Sequence, residues 1–234
     1  NEITTQLPFV DRDDSSTWTE EFIRLDHFDH QCYLDAANTP KLLQAFDEIV
    51  GPGNWLPRKN IGSYPIRFPS DRSPAWADWH IDGSIYVGDG NNDQDFPGGY
   101  PYYVNLTSNG RAALVLFLYS DQETPESGAV KIAKGSHKDV PKHLVDAGNR
   151  GVHPDEIKNQ MDFDSYQIAH ALGKAGDVYI LNPFTFHSGQ SNTGSTPRFL
   201  GQPELTPANE PCFNLNREDG YYSVMEQSVL LGLI

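Results

Sequence analysis

From residue 60 onward the chain is written in short apolar runs rich in β-branched and aromatic residues, each closed by a cluster of Gly, Pro, Asn or Asp. No other feature restricts the fold as much, because this is the pattern of an all-β barrel or sandwich. The predicted strands are residues 60–67, 79–86, 112–120, 129–133, 177–181 and 199–202. One clear helix precedes them over residues 41–50. Thr39 can cap it, Pro40 suits the first turn, and Leu42, Leu43, Phe46, Ile49 and Val50 form its apolar stripe before Gly51-Pro52-Gly53 stops it. Residues 1–30 are polar and Asp-rich and read as a loose lead-in with no evident strand. Residues 88–103, crowded with Asp, Asn, Gly and Tyr, form a long loop, and loops of that length are usually functional or disordered. Residues 139–170 read as a second, partly helical excursion. No repeat or linker divides the chain, and 234 residues suit one barrel, so residues 1–234 are expected to form a single domain.

Charge removes one class of function. The net charge is −15 and no basic cluster is visible, which argues against nucleic acid, since phosphate binding needs grouped cations. The acidity is read as solubility. No apolar run approaches the ~18 residues of a membrane span and no signal peptide opens the chain, so a cytoplasmic protein is expected. Cys32 and Cys212 make neither a disulfide framework nor a zinc site, which agrees with a reducing compartment. Asn105-Leu106-Thr107 is a glycosylation sequon of a kind that arises often by chance.

The chemistry concentrates in Trp79-His80-Ile81-Asp82-Gly83. Alternate residues of a strand share a face, so His80 and Asp82 can reach one metal while Ile81 turns away. Three other His-x-Asp doublets, at His27, His137 and His153, are set aside by context. His27 lies in the polar lead-in, His137 follows the turn Lys134-Gly135-Ser136, and His153 precedes Pro154 at an apparent helix start. Only His80 stands in a strand flanked by Trp76, Trp79, Ile81, Ile85 and Tyr86, where a dry and rigid site can form. A second histidine is needed to complete the two-His-one-carboxylate set of non-haem iron(II) oxygenases, which leaves adjacent positions open for a bidentate co-substrate and oxygen. The best candidate is His187, delivered by the strand that follows Gly176-Asp177 into an aromatic setting; taken alone it reads more readily as a hydrogen-bonded core histidine.

Arg198 follows eleven residues later, at the entry to the strand Phe199-Leu200-Gly201-Gln202. The far carboxylate of a 2-oxoglutarate molecule needs a fixed cationic fork, and a planar guanidinium matches a carboxylate in a way an ammonium does not. A hairpin from His187 to Arg198 could place that fork at the other end of the co-substrate. Asn60, with Gly62 and Tyr64, and separately Phe117, are further candidates for lining the co-substrate pocket, against the alternative of ordinary barrel filling. Tyr86, Tyr100, Tyr102 and Tyr103 could form a substrate lid or simply pack their own loop, and Arg67, Arg72 and Arg111 could meet an anionic substrate or lie in solvent.

Three blocks resemble the phytanoyl-CoA dioxygenase family of iron/2-oxoglutarate oxygenases. They are Trp79 to Gly83, the stretch LYSDQETPESGAVKIAKGSH from Leu118 to His137, and GDVYILNPFTFHSGQSNTGSTPR from Gly176 to Arg198. The resemblance spans about residues 40 to 205. It implies a mainly β double-stranded β-helix, a jelly-roll or cupin-like barrel with flanking helices. It also implies His80, Asp82 and His187 as ligands of Fe(II), Arg198 as the anchor of 2-oxoglutarate, and a small-molecule substrate with O2. Ser188 or Ser191 could assist Arg198, although the family often has its hydroxyl two residues after the distal histidine, where this chain has Gly189. Related halogenases replace the carboxylate ligand by a small residue, so Asp82 favours hydroxylation or another oxidative outcome over halogenation. Two rival readings stay open: a zinc-type hydrolase on the same ligands, and a cupin-like binding module without turnover. Substrate identity and oligomeric state are not legible.

Overall fold

A computed structural model of the chain describes residues 9–26, 29–72, 74, 77–82, 84–85 and 102–234. The strands in chain order are β1 (Phe22–Asp26), β2 (Ser63–Arg67), β3 (Ser84–Ile85), β4 (Tyr102–Tyr103), β5 (Ala113–Leu118), β6 (Lys131–Ala133), β7 (Ile168–His170), β8 (Val178–Leu181), β9 (His187–Ser188), β10 (Arg198–Gly201) and β11 (Glu204–Leu205). The α-helices are α1 (Gln31–Ala37), α2 (Pro40–Val50), α3 (Ser136–Asp139), α4 (Pro154–Lys158) and α5 (Val224–Gly232).

A six-stranded antiparallel sheet runs β1-β2-β10-β5-β11, with β8 on the other edge of β5. A three-stranded antiparallel sheet runs β7-β6-β9. The central strand β5, Ala-Leu-Val-Leu-Phe-Leu, is buried throughout, which explains its unbroken apolar sequence. Its side chains alternate between two cores. Leu114, Leu116 and Leu118 meet Leu181 and Leu200 of the large sheet and Val130, Ile132 and Ala171 around the small one. This is the filling between the two layers of the jelly roll. Ala113, Val115 and Phe117 face the opposite way, into the core that includes Leu42, Phe46 and Val50 of α2. Each fully buried Leu or Phe contributes about 1.5–3 kcal/mol. Helix α2 forms as expected: Thr39 Oγ1 accepts from the Leu42 amide, Pro40 occupies the first turn, and Gly51 ends it at φ 100°.

Several expectations are corrected. The segment read as a loose lead-in contains β1, which pairs along its whole length with β2, from Phe22 opposite Arg67 to Asp26 opposite Ser63. Only part of the predicted strand 79–86 is a ladder among the described residues: an isolated bridge at His80, and β3. Most of the loop 88–103, with Tyr86 and Tyr100 of the suggested lid, lies outside the described residues, as do Trp76, Gly83 and His27. Tyr102 and Tyr103 form β4 against β3. The sequon is a buried turn: Asn105 is 6% exposed, its amide donates to the Asn149 carbonyl, and its oxygen accepts from Thr107. Among the described residues no helix is long and apolar enough to cross a membrane. Helix α5 was not anticipated, although Ser223 and Glu226 form a reciprocal capping box at its start.

Candidate metal centre

His80 and His187 are brought side by side by the backbone. The His80 amide donates to the His187 carbonyl at 3.0 Å and the His187 amide returns the bond at 2.9 Å. Residues paired in this way in an antiparallel bridge project to the same side, and the two imidazole centroids are 4.3 Å apart. Asp82, two residues on, brings its Oδ2 to 3.7 Å from His187 Nε2. One ligand atom from each of the three lies within 4.8 Å of the others, and this is the metal-competent group found among the described residues.

The rings are fixed by the chain before any ion arrives. His80 Nδ1 lies 2.9 Å from the Asp78 carbonyl oxygen, and His187 Nδ1 lies 3.0 Å from that of Thr185. A carbonyl can only accept, so each Nδ1 carries the proton and each Nε2 keeps a lone pair. His187 Nε2 is buried without a hydrogen-bond partner. An unmet buried nitrogen costs about 1–3 kcal/mol, and a metal ion is the partner that suits it. Burial, reinforced by His80, pushes His187 down to about 4, so its ring is neutral near pH 7. For Asp82, burial pushes upward, but the charges of Arg111, His187 and His80 outweigh it and hold the carboxyl at about 2. A neutral imidazole and an ionised carboxylate are the protonation states a divalent ion requires.

Aromatic side chains brace the segments that carry His80 and His187. Trp79 stacks on Phe163 at 5.1 Å and 2°, and Phe163 meets Phe186 edge-on at 5.1 Å. Phe163 therefore joins the residue before His80 to the residue before His187. Lys158 of α4 pairs with Asp78 at 2.8 Å, fixing the segment whose carbonyl orients His80. Ser188 Oγ donates to the Ala77 carbonyl at 2.5 Å, tying the same two segments on another side. The rival doublets have other roles. His153 caps α4 through its Nδ1, while His137 and Asp139 lie in α3, where Asp139 bonds Lys142 and Tyr166.

Arg198 begins β10, is 3% exposed, and shares a face with Leu200 of the interlayer core. Its Nη1 donates to the Gly128 carbonyl at 3.1 Å and its Nη2 to that of Pro65 at 3.4 Å, while its Nε is buried without a partner. Burial, then the charge of Arg67, pushes it down to about 9, still protonated near pH 7. A buried guanidinium bonded only to neutral carbonyls suits an anionic ligand.

Asn60 and Phe117 are placed elsewhere. Asn60 Oδ1 accepts from Arg58 and from the Gly62 amide, shaping the turn before β2. Phe117 packs with Tyr119, on the β5 face opposite Leu116, and Tyr119 packs in turn on Tyr64 and Tyr33. Tyr64 lies beside Phe199 in that cluster, so its face of the sheet is not that of Arg198. Ser191 donates to the Arg72 carbonyl at 3.3 Å. Arg111, weighed only as a contact for an anionic substrate or a solvated residue, stands beside the candidate metal ligands, with its Nη1 3.4 Å from Asp82 Oδ2. Nothing in its local sequence separates it from a solvated arginine. Phe163 was missed because its partners are distant in the chain.

A jelly roll that gathers two imidazoles and one carboxylate as His-x-Asp and a distal His defines the class of non-haem iron oxygenases. The chain belongs to the phytanoyl-CoA dioxygenase (PhyH) family, whose model matches residues 10–200. Iron(II) and 2-oxoglutarate are the metal and co-substrate of this family, and the chain is a member of the Fe(II)/2-oxoglutarate-dependent oxygenase superfamily. Among solved structures it is similar to HygX from Streptomyces hygroscopicus with nickel, 2-oxoglutarate and hygromycin B bound, at 17% identity over 85% of this chain and 74% of that one, with a TM-score of 0.47. It is also similar to AviO1 from Streptomyces viridochromogenes Tue57, at 14% identity over 62% and 49% of the two chains, TM-score 0.35. A third is SnoN, a non-heme alpha ketoglutarate dependent epimerase from nogalamycin biosynthesis, at 17% identity over 60% and 45%, TM-score 0.35. No match is found among curated proteins.

Proposed function

We propose that this chain hydroxylates a C–H bond of a small or medium-sized metabolite, holding Fe(II) on His80, Asp82 and His187 and anchoring 2-oxoglutarate on Arg198. The observation that carries the reading is the inward pair of imidazoles, each fixed through Nδ1 to a backbone carbonyl, with Asp82 ionised beside them. When bound, iron and 2-oxoglutarate supply the oxidising chemistry, with succinate and carbon dioxide as co-products.

The chain supplies position and charge. His80 and His187 offer Nε2, Asp82 offers one negative charge, and Arg111 steadies that carboxylate through the same Oδ2 that faces His187. Arg198 meets the distal carboxylate of the co-substrate at the end of a buried face. The stack of Trp79, Phe163 and Phe186 keeps the ligand segments in register and excludes water behind them. The retained Asp82 occupies the position a halide would need, which favours hydroxylation over halogenation. Oxygen-dependent succinate formation from 2-oxoglutarate, measured in the wild type and in Asp82→Ala, tests the reading. Turnover that needs Fe(II) and oxygen and is lost in the variant supports it. Hydrolytic activity with zinc in the absence of oxygen would replace it.

A further inference from the structure

Two arginine–carboxylate pairs in this molecule are built differently. Arg217 grips Glu226 with a fork, its Nε donating to Oε2 at 3.1 Å and its Nη2 to Oε1 at 2.8 Å. Arg111 gives Asp82 a single nitrogen, Nη1 at 3.4 Å from Oδ2, beyond the usual ~2.7–2.9 Å of a charge-assisted bond. Its Nε is buried and has no hydrogen-bond partner among the described residues. A guanidinium placed only to hold a carboxylate takes the first arrangement. Arg111 keeps donors in reserve.

The turn that carries Arg111 is firmly held. Ser108 Oγ donates to the Arg111 carbonyl at 2.7 Å, and the next amide, of Ala112, donates to the Leu205 carbonyl at 2.8 Å. Ser108 is buried and sits at φ 49°, the one positive φ outside glycine among the described residues. Backbone of this kind gathers at active sites and ligand clamps. The edge it serves is also the open edge of the centre. The side chains of Asp82 and Arg111 keep 22% and 16% exposure, whereas that of His187 keeps 3%.

Loading the centre changes what Arg111 faces. Fe(II) and 2-oxoglutarate carry equal and opposite charge, and Asp82 and Arg198 offset each other. Among the groups that hold metal and co-substrate, the charge of Arg111 is then left over, because Asp82 is its one ion pair among the described residues and the metal shares that carboxylate. Resting on the assignment of the metal centre, we propose that Arg111 binds an oxyanion of the primary substrate, a carboxylate, phosphate or sulfate, so that the metabolite oxidised here is anionic. Held at Arg111, that group fixes which part of the substrate stands beside the metal.

The test compares two probes of one shape, methanesulfonate and its neutral counterpart dimethyl sulfone. Each is titrated anaerobically into protein loaded with Mn(II) and saturating 2-oxoglutarate, and the broadening of its methyl proton resonance by Mn(II) is followed. Wild-type protein is expected to bind the sulfonate about tenfold or more tightly than the sulfone. Arg111→Met should abolish that preference, and Arg111→Lys, which keeps the charge but not the planar donors, should retain part of it. The readout is a ratio within one loaded protein, so a change in metal affinity common to both probes cancels. Loaded wild-type protein that takes both probes alike, or neither, would overturn the proposal. So would a preference undiminished in Arg111→Met. Loss of Mn(II) binding in both Arg111 variants would also overturn it and make Arg111 a support of Asp82 alone. Wild-type protein that takes up no Mn(II) or no 2-oxoglutarate would instead sink the parent reading of the metal centre.

Discussion

His80 and His187 exchange both backbone hydrogen bonds of an isolated antiparallel bridge, so the two imidazole rings are paired by main chain alone. Because each Nδ1 is held by a carbonyl within its own segment, removing one ring should leave the other in place. His187→Ala and His80→Ala are each expected to lower Mn(II) affinity by about a hundredfold or more with little change in circular dichroism, since ligand loss removes a direct bond and not a fold contact. Calorimetric titration checks this. Unchanged affinity in either variant would contradict the assignment of that ligand.

Phe163 links the two ligand segments through Trp79 and Phe186. Phe163→Ala removes both contacts and leaves a void, so thermal unfolding should show a loss of about 2–4 kcal/mol. Residues that orient metal ligands typically change affinity by about 10–100-fold, and Mn(II) binding should fall near the lower end of that range. Phe163→Leu should restore most of the stability but less of the affinity, because it fills the volume without the planar stack on Trp79.

Glu226 gives the fold a pH dependence away from the candidate metal centre. It is 1% exposed, pairs with Arg217 at 2.8 Å, and accepts from the amides of Asn214 and Ser223. Burial alone would raise its pKa, but Arg217 and the two amides outweigh it and lower the folded-state value below that of an ordinary glutamate. A lowered folded pKa means stability that is present above the unfolded carboxylate range and lost as pH falls through the folded value. Glu226→Gln should therefore lower stability by about 2–3 kcal/mol near pH 7, with the two melting curves converging in acid. A constant difference across pH would contradict the role of the charge.

The convergence of His80, Asp82 and His187 was legible largely because its signals are local. His80-Ile81-Asp82 needs only alternate-residue spacing. The hairpin expected from His187 to Arg198 is corrected by the pairing: β9 joins β6 in the three-stranded sheet, while β10 joins β2 and β5 in the six-stranded one. Residues whose role depends on a distant partner were not legible. Arg111 becomes a site residue only when β5 begins beside Asp82, and β1 exists only because β2 pairs with it. Phe22-Ile23-Arg24-Leu25-Asp26 is too short and too polar in context to declare a strand alone. Phe117 and Tyr64 show a further limit: strand parity decides the face, and they fall on the helix-side face with Phe199 while Arg198 takes the other. Helix α5 was announced by Ser223 and Glu226, a signal present in the sequence but not used.

The central claim is that His80, Asp82 and His187 hold Fe(II) while Arg198 anchors 2-oxoglutarate. Its most direct test is an anaerobic titration of metal-free protein with Fe(II) and 2-oxoglutarate, followed by visible absorption beside Arg198→Ala. A charge-transfer band that requires both additions, and that needs much higher 2-oxoglutarate in the variant, is the predicted result. Folded, metal-loaded protein that shows no band, or a band indifferent to Arg198, would contradict it.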